Sequence, residues 1–385
     1  MLKKISLSGI RFNRQEWSGA LGDIGTDLPL LIGMILAAHL HIPSVLILFG
    51  LMQILTGLYY RIPMPVQPLK AMAALVIAQQ ISSNVLYGGG LAIGLSMLLL
   101  TATRLIEWLH RVIPKAVVRG IQFGLGLKLS LIALENYLPK EGIPGFILAG
   151  VCLLIILFLL PQRRFPPAFP VIIAGILYAI WIRKVSLDGS VFSFEWPKLT
   201  IPQLSDILTG FMVLALPQLP LSLGNSILAT RQITADLFPD KKISVSKISL
   251  SYSIMNILNP FLNGIPVCHG AGGMAGHYAF GGRTGGSVIL YGILFCFLGL
   301  CFSRQFSTII QFFPFPVLAV ILLCEGLALL VLIKDLRDDI GAFTLAILIG
   351  LLAAILPYGF LIALILGTGL DYLLKSKRLG LPGMF

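Results

Sequence analysis

The sequence predicts an all-α polytopic membrane protein. It has 14 transmembrane segments in a 7+7 inverted repeat, and two of the segments are reduced to half-helices. Three observations predict this. The chain has 385 residues, of which 57% are hydrophobic and 11% charged, and its mean hydropathy is +0.94; no soluble core needs so much apolar residue. Its basic residues sort between alternate loops. Two short interruptions rich in proline, glycine and polar residues fall at matching places in the two halves.

Apolar runs place the segments at about 17–38, 43–60, 66–80, 86–109, 115–134, 143–160, 166–182, 204–229, 244–262, 269–280, 286–302, 315–333, 339–355 and 357–374. Most reach the roughly 18 residues that a span needs; the third and tenth are too short to cross alone. The start, Met1 to Trp17, is basic and polar, and the apolar run after it is long enough to remain as a span rather than a cleaved leader. Cys152, Cys268, Cys296, Cys301 and Cys324 all fall in apolar segments, without metal or disulfide spacing.

The net charge of +12 raises nucleic acid as a partner, and the distribution of the charge argues against it. With the N-terminus in the cytoplasm, most cations face that side, among them Arg61, Arg104, Lys115, Arg119, Arg163, Arg164, Lys241, Lys242, Lys247, Arg283 and Lys375. Only Lys140, Arg183, Lys184, Lys198 and Arg304 fall outside, and Lys70 and Lys128 stay inside spans. This is the positive-inside pattern. It puts both termini in the cytoplasm and requires an even number of spans. An inner or plasma membrane is the expected location.

The longest polar connection, about Arg183 to Gln203, divides the chain into repeats 1–197 and 198–385. Leu28-Pro29-Leu30-Leu31-Ile32-Gly33 matches Leu219-Pro220-Leu221-Ser222-Leu223-Gly224. Pro65-Val66 matches Pro266-Val267. Pro114 with Gly124-Leu125-Gly126-Leu127 matches Pro316 with Gly326-Leu327-Ala328-Leu329. Three matches in one order indicate duplication. Seven spans per unit turn the second copy upside down.

The interruptions are Pro65-Val66-Gln67-Pro68, before Leu69-Lys70-Ala71-Met72, and Pro266-Val267-Cys268-His269, before Gly270-Ala271-Gly272-Gly273. A broken span survives only where protein or a polar cavity covers its backbone. Paired breaks point to a transporter's binding site at mid-membrane. Each half-helix start offers unpaired N–H groups and about half a positive charge. Gln67 is placed as a cap and Pro68 as a first-turn residue. The run His269, Gly270, Ala271, Gly272 lets a ligand approach the backbone, as anion-binding turns do. The bland alternative is that the glycines serve close helix packing.

Asp23, Thr26 and Asp27 share one face of the first span. Gln218, Ser222 and Asn225 share one face of the eighth. Intramembrane polar residues are functional candidates; for Asp23 the alternative is a helix cap. Lys70 either charges the site for an anion or pairs with Asp27 or Asp23. Glu325, in the twelfth segment, is either a proton carrier or a packed, protonated acid. His269 could simply donate a hydrogen bond. The sequence contains no Walker loop, nucleophile elbow, paired catalytic acids or metal-ligand cluster, so no enzyme and no cofactor is expected.

At these residues the chain resembles the molybdate transporter family, a branch of the sulfate permease superfamily. The motifs are Gly22-Asp23-Ile24-Gly25-Thr26-Asp27, Pro63-Met64-Pro65-Val66-Gln67-Pro68-Leu69-Lys70-Ala71, Gln218-Leu219-Pro220-Leu221-Ser222-Leu223-Gly224-Asn225-Ser226 and Pro266-Val267-Cys268-His269-Gly270-Ala271-Gly272-Gly273. Phe280-Gly281-Gly282-Arg283-Thr284-Gly285 is similar to an element of sulfate permeases generally. The resemblance implies a uracil permease/sulfate permease-like fold whose core and gate domains are each built from both repeats. It implies import of molybdate by alternating access, with sulfate or tungstate as alternatives, and leaves proton coupling open through Asp23, Asp27 or Glu325. Together with the half-helix starts and the two polar faces, it gives substrate contacts at Thr26, Gln67, Pro68, Leu69, Lys70, Gln218, Ser222, Asn225, His269, Gly270, Ala271 and Gly272. Partners would be the oxyanion, protons and membrane lipid, and the reading admits a homodimer.

Two departures matter. Only about eleven residues, Lys375 to Phe385, follow the last segment, where typical sulfate permeases carry a regulatory domain. Asn225 stands where many of them place a glutamate. An anion channel or sensor of the same fold is the rival class, because backbone-lined breaks also build selectivity filters.

Overall fold

The computed structural model describes residues 9–159, 168–181, 194–356 and 358–375, and it is almost entirely helical. In chain order it contains α1 (Arg14–Ala38), α2 (Ile42–Tyr60), strand β1 (Gln67–Pro68), α3 (Lys70–Gln79), α4 (Ser83–Ala102), α5 (Leu105–Val112), α6 (Lys115–Leu131), α7 (Gly142–Leu159), α8 (Ala168–Trp181), α9 (Leu204–Leu237) and α10 (Val245–Leu258). Strand β2 (Val267–Cys268), α11 (Ala271–Ala279), α12 (Gly286–Cys301), α13 (Ser303–Phe312), α14 (Phe315–Leu330), α15 (Ile340–Ile355) and α16 (Gly359–Lys375) follow. Among the described residues a helix lies over each of the fourteen predicted segments. Six are long and apolar enough to cross a membrane by length and composition.

Local chemistry sets several boundaries. Asn13 Oδ1 accepts from Glu16 N and starts α1. Ser244 caps α10 and Asp339 caps α15 in the same way, each satisfying a backbone donor that the helix leaves unpaired. Helices stop at His39, Arg61 and Gln80, whose left-handed φ values of 50°, 58° and 51° turn the chain out of the helix.

The segment expected at 86–109 needs correction. It divides into α4 and α5, because the chain turns at Arg104, where φ is 59°. The polar connection near Arg183, and Lys3, Lys4, Arg163, Arg164, Lys184, Lys377 and Arg378, lie outside the described residues.

Helix pairing sorts the molecule into two bodies. In the first, α2 packs on α12, and α4 packs on α9 and α10. In the second, α6 packs on α14 and α15, and α15 on α16. Small residues make the tightest approaches. A Cβ on Gly292 would lie 2.4 Å from Gly50 O, and one on Gly126 would lie 2.6 Å from Gly326 O. Helices in an apolar solvent gain contact by such close packing. The two bodies meet where α14 crosses α1 and where α6 passes α3 and the middle of α9. Of the polar residues singled out in the sequence, Thr26 and Lys70 meet Glu325 across that seam.

Candidate functional site

The two breaks pair with each other. Gln67 lies opposite Cys268 and Pro68 opposite Val267 in an antiparallel bridge, and Leu69 N donates to Pro266 O at 3.1 Å. Each break is also clamped by one buried amide side chain from the helix before it. Gln53 Nε2 donates to Val66 O at 2.7 Å and its Oε1 accepts from Val66 N at 3.1 Å. Asn256 Nδ2 donates to Val267 O at 2.6 Å and its Oδ1 accepts from Val267 N at 2.9 Å. A backbone removed from both helix and water must find such partners. Two half-helices, α3 and α11, therefore start from one shared point.

Their N-termini are treated differently. Gln218 Oε1 accepts from Ala71 N at 2.9 Å and from Met72 N at 3.3 Å, so α9 caps the first half-helix. Gln218 Nε2 donates to Ser222 Oγ at 3.3 Å, and Ser222 shares a 2.7 Å hydrogen bond with Tyr252. The α11 start at Gly270 has no side-chain cap. Gly272 is exposed, and a Cβ built on it would meet nothing within 4 Å. Open space therefore adjoins the first turn of α11, where backbone N–H groups and the positive helix end attract anions.

The Asp23 carboxylate adjoins the first turn of α11 at Gly273, and a further charged cluster bridges the seam. Lys70 Nζ donates to Glu325 Oε2 at 3.0 Å, and Thr26 Oγ1 donates to Glu325 Oε1 at 2.8 Å. Lys70 thus pairs with neither Asp23 nor Asp27; it reaches across the seam to α14. Asp23 starts the second part of α1 without a side-chain cap bond. Both its oxygens instead accept from Gln67 Nε2, at 2.7 and 2.8 Å. Asp27 is fully buried, and among the described residues neither of its oxygens has a hydrogen-bond partner. The Tyr291 hydroxyl is its polar neighbour.

The local expectations for several residues change. Gln67 does not cap α3, whose cap position is Leu69; its amide turns to Asp23 and fills the space against Gly270. Pro68 lies in the strand bridge, not in the first helical turn. His269 precedes α11, and its ring points away from the open space. Nδ1 donates to Pro65 O at 3.0 Å, and Nε2 bonds Ser251 Oγ at 2.7 Å. Ser222 is buried against Tyr252. Thr26, Lys70, Asn225, Ala271 and Glu325 are half-buried along the seam.

Three structural residues escaped the sequence reading. Gln53 and Asn256 sit at comparable distances before the two breaks, a spacing that could have revealed them. Glu16 is buried, and its carboxylate accepts from Arg283 N, Thr284 N and Ser287 N. It caps α12 and pins the Phe280–Gly285 turn to α1. A lone glutamate beside the first apolar run was its only signal.

The architecture is that of a polytopic helical membrane protein with an intramembrane polar seam. The chain matches solved transporter structures in fold. It matches the transmembrane domain of a cyanobacterium bicarbonate transporter, BicA, with TM-score 0.64 at 18% identity, covering 90% of this chain and 98% of that one. It matches SLC26A9 with TM-score 0.72 at 12% identity, covering 94% and 65%. The murine Slc26a9 anion transporter in its inward-facing state matches with TM-score 0.70 at 11% identity, covering 96% and 69%. In sequence, the family described as "Molybdate transporter of MFS superfamily" matches residues 15–129 and 210–329. Arabidopsis thaliana molybdate transporter 2 is 34% identical over 94% of this chain and 87% of its own. Molybdate transporter 1 of the same plant is 32% identical over 86% and 82%. The chain belongs to the molybdate transporter family.

Proposed function

We propose that the protein is a secondary active importer of molybdate that works by alternating access. The observation that carries this reading is the uncapped first turn of α11, opening on free space at Gly272, with Lys70 on the half-helix paired to it. A tetrahedral dianion there would receive backbone N–H groups around Ala271 and Gly272, the Lys70 charge and hydroxyl or amide donors from Thr26 and Asn225. Desolvating a dianion is costly without such compensation. Family membership and the molybdate transporter relatives supply the identity of the anion. The α3 side contributes less directly, because Gln218 already occupies its N–H groups; Gln67, Pro68, Leu69, Gly270, His269 and Ser222 support the site from behind.

Two features support the inverted repeat of 1–197 and 198–385: the antiparallel pairing of the breaks and the twin amide clamps, Gln53 and Asn256. The body containing α1 to α4 and α9 to α12 is the core that carries substrate. The body containing α6, α7 and α14 to α16 is the gate. Both termini face the cytoplasm of an inner or plasma membrane.

Glu325 is the coupling group best placed among Asp23, Asp27 and itself. It holds Lys70 and Thr26, the two side chains that the dianion needs, and it sits on the gate while they sit on the core. A dianion approaching Lys70 also approaches the Glu325 carboxylate, a like-charge contact. A proton on Glu325 removes that repulsion and frees Lys70, so anion and proton would enter together.

The test is uptake into proteoliposomes. Saturable molybdate uptake, accelerated by an inward proton gradient and only weakly inhibited by sulfate, is expected. Non-saturating flux would instead establish a channel, and equal inhibition by sulfate would remove the molybdate assignment.

A further inference from the structure

The first body carries a second groove, separate from the open start of α11. It lies between α2 and α10 and has a volume of about 750 Å³. Its walls are apolar and outward-facing: Leu55, Leu250, Ile254 and Leu258 are between 41% and 54% exposed. Arg61 and Lys247 also line it. Arg61 ends α2 and Lys247 lies in the first turn of α10, which puts the two cations at one end of the groove. Among the described residues neither makes an ion pair with a carboxylate. Lys247 Nζ is held 4.4 Å above the Tyr59 ring and 5.0 Å from the Tyr60 ring. Lys241 and Lys242 are exposed on the loop just before α10.

We propose that this groove binds an anionic phospholipid, its acyl chain between α2 and α10 and its phosphate on Arg61 and Lys247. The chemistry matches end to end. The walls from Leu250 to Leu258 run about 12 Å along the helix, an apolar channel suited to an extended acyl chain. Two uncompensated cations at its mouth call for an anion at interfacial depth, and a basic rim attracts anionic lipid. Tyr59 is an interfacial aromatic of the kind found at headgroup level. A zwitterionic lipid carries the same phosphate but adds a headgroup cation beside it, which Arg61, Lys247 and the nearby Lys241 and Lys242 repel, so its net attraction to the rim is weaker. A second protein copy would have to bring carboxylates to the rim and an apolar ridge to the walls.

The groove floor touches the breaks. Ser251 Oγ bonds both His269 Nε2, at 2.7 Å, and the Tyr60 hydroxyl, at 2.6 Å. Thr56 Oγ1 donates to Met64 O at 3.0 Å. A lipid seated on Thr56 and Ser251 therefore presses on the residues that hold the two half-helix starts. Lipid occupancy would tighten oxyanion binding; this second consequence rests on the proposed function, whereas lipid binding itself does not.

Native mass spectrometry of the full-length protein, titrated with phosphatidylglycerol against phosphatidylcholine of equal chain length, tests the site directly. Retention of phosphatidylglycerol should exceed that of phosphatidylcholine at least about tenfold, about 1.4 kcal/mol. The preference should vanish in the Arg61→Asn, Lys247→Gln double variant; asparagine tolerates the left-handed backbone of position 61. Lys241→Gln, on the neighbouring loop, should keep most of it. Equal retention of the two lipids by the unaltered protein overturns the proposal. So does a preference that survives in a folded double variant, or a dimer mass that depends on the two cations without lipid selectivity. Lipid selectivity without any molybdate uptake would leave this site standing and remove only the transport reading.

Discussion

The two breaks look alike in sequence and do different work. Each follows a helix that donates a clamp, Gln53 to Val66 and Asn256 to Val267, and each begins a half-helix. The first half-helix is closed by Gln218 and carries the charged Lys70. The second has no capping side chain and stays open at Gly272, while Gln67 and the Asp23 carboxylate close against Gly270 and Gly273; it has glycine where the first has side chains. The comparison teaches a division of labour. One break is structurally completed and brings a cation; the other keeps its backbone available for a ligand.

The most damaging way to erase the difference is to fill the second break. A Cβ at Gly270 would lie 1.5 Å from Gln67 Oε1. Gly270→Val should abolish molybdate binding altogether, because Gln67 must leave Asp23 and the bridge between the breaks must shift. Gly272→Ala is the sharper probe. Its Cβ enters free space and replaces glycine in the first turn of a helix, which favours folding by less than the roughly 0.8–1.0 kcal/mol of an interior position. Molybdate affinity should fall by about tenfold or more, about 1.4 kcal/mol, while thermal stability holds or rises. Isothermal titration beside a melting curve separates the two quantities. Unchanged affinity in Gly272→Ala would show that the anion does not sit on α11.

The cation of the first break can be uncoupled from the gate without touching either backbone. Glu325→Gln keeps the shape of the side chain and removes its charge, so Lys70 loses its ionic partner. Stimulation of uptake by an inward proton gradient should disappear, while exchange of labelled for unlabelled molybdate continues. Uptake that keeps its proton stimulation would move the coupling role to Asp23 or Asp27.

The breaks, their pairing in one site and the residues Lys70, Thr26 and Glu325 were legible in the sequence because proline, glycine and charge are rare and conspicuous in apolar segments. Partners were less legible. Lys70 and Glu325 are 255 positions apart, and nothing in local spacing favours Glu325 over Asp23 or Asp27; only the crossing of α14 over the first body decides it. His269 sits beside the break in sequence, where it either contacts the ligand or simply donates a hydrogen bond; a side chain at the end of a strand can point to either face, and this one turns to Pro65 and Ser251. The division of 86–109 hinged on one left-handed residue, Arg104, a conformation that arginine sequence context does not signal. The backbone of α9 widens into a π-type turn over Ser222–Ala229, after Pro217 and Pro220 have removed two helix donors. That widening sets the direction of Asn225, and its proline pair was the visible trace.

The smallest expected effect tests the closure of the first break. Gln218→Ala leaves Ala71 and Met72 N–H without their acceptor, and losing a cap costs about 1 kcal/mol. The melting temperature should drop by a few degrees, with molybdate affinity changed less than about threefold, under about 0.7 kcal/mol. Gln218→Glu refines the point. A carboxylate accepts the same two N–H groups and suits the positive end of α3, so stability should return. It also adds negative charge near Lys70, so affinity should fall further than in the alanine variant. If alanine instead lowers affinity as strongly as Gly272→Ala does while stability is untouched, Gln218 is a direct ligand and the first break is as open to the anion as the second.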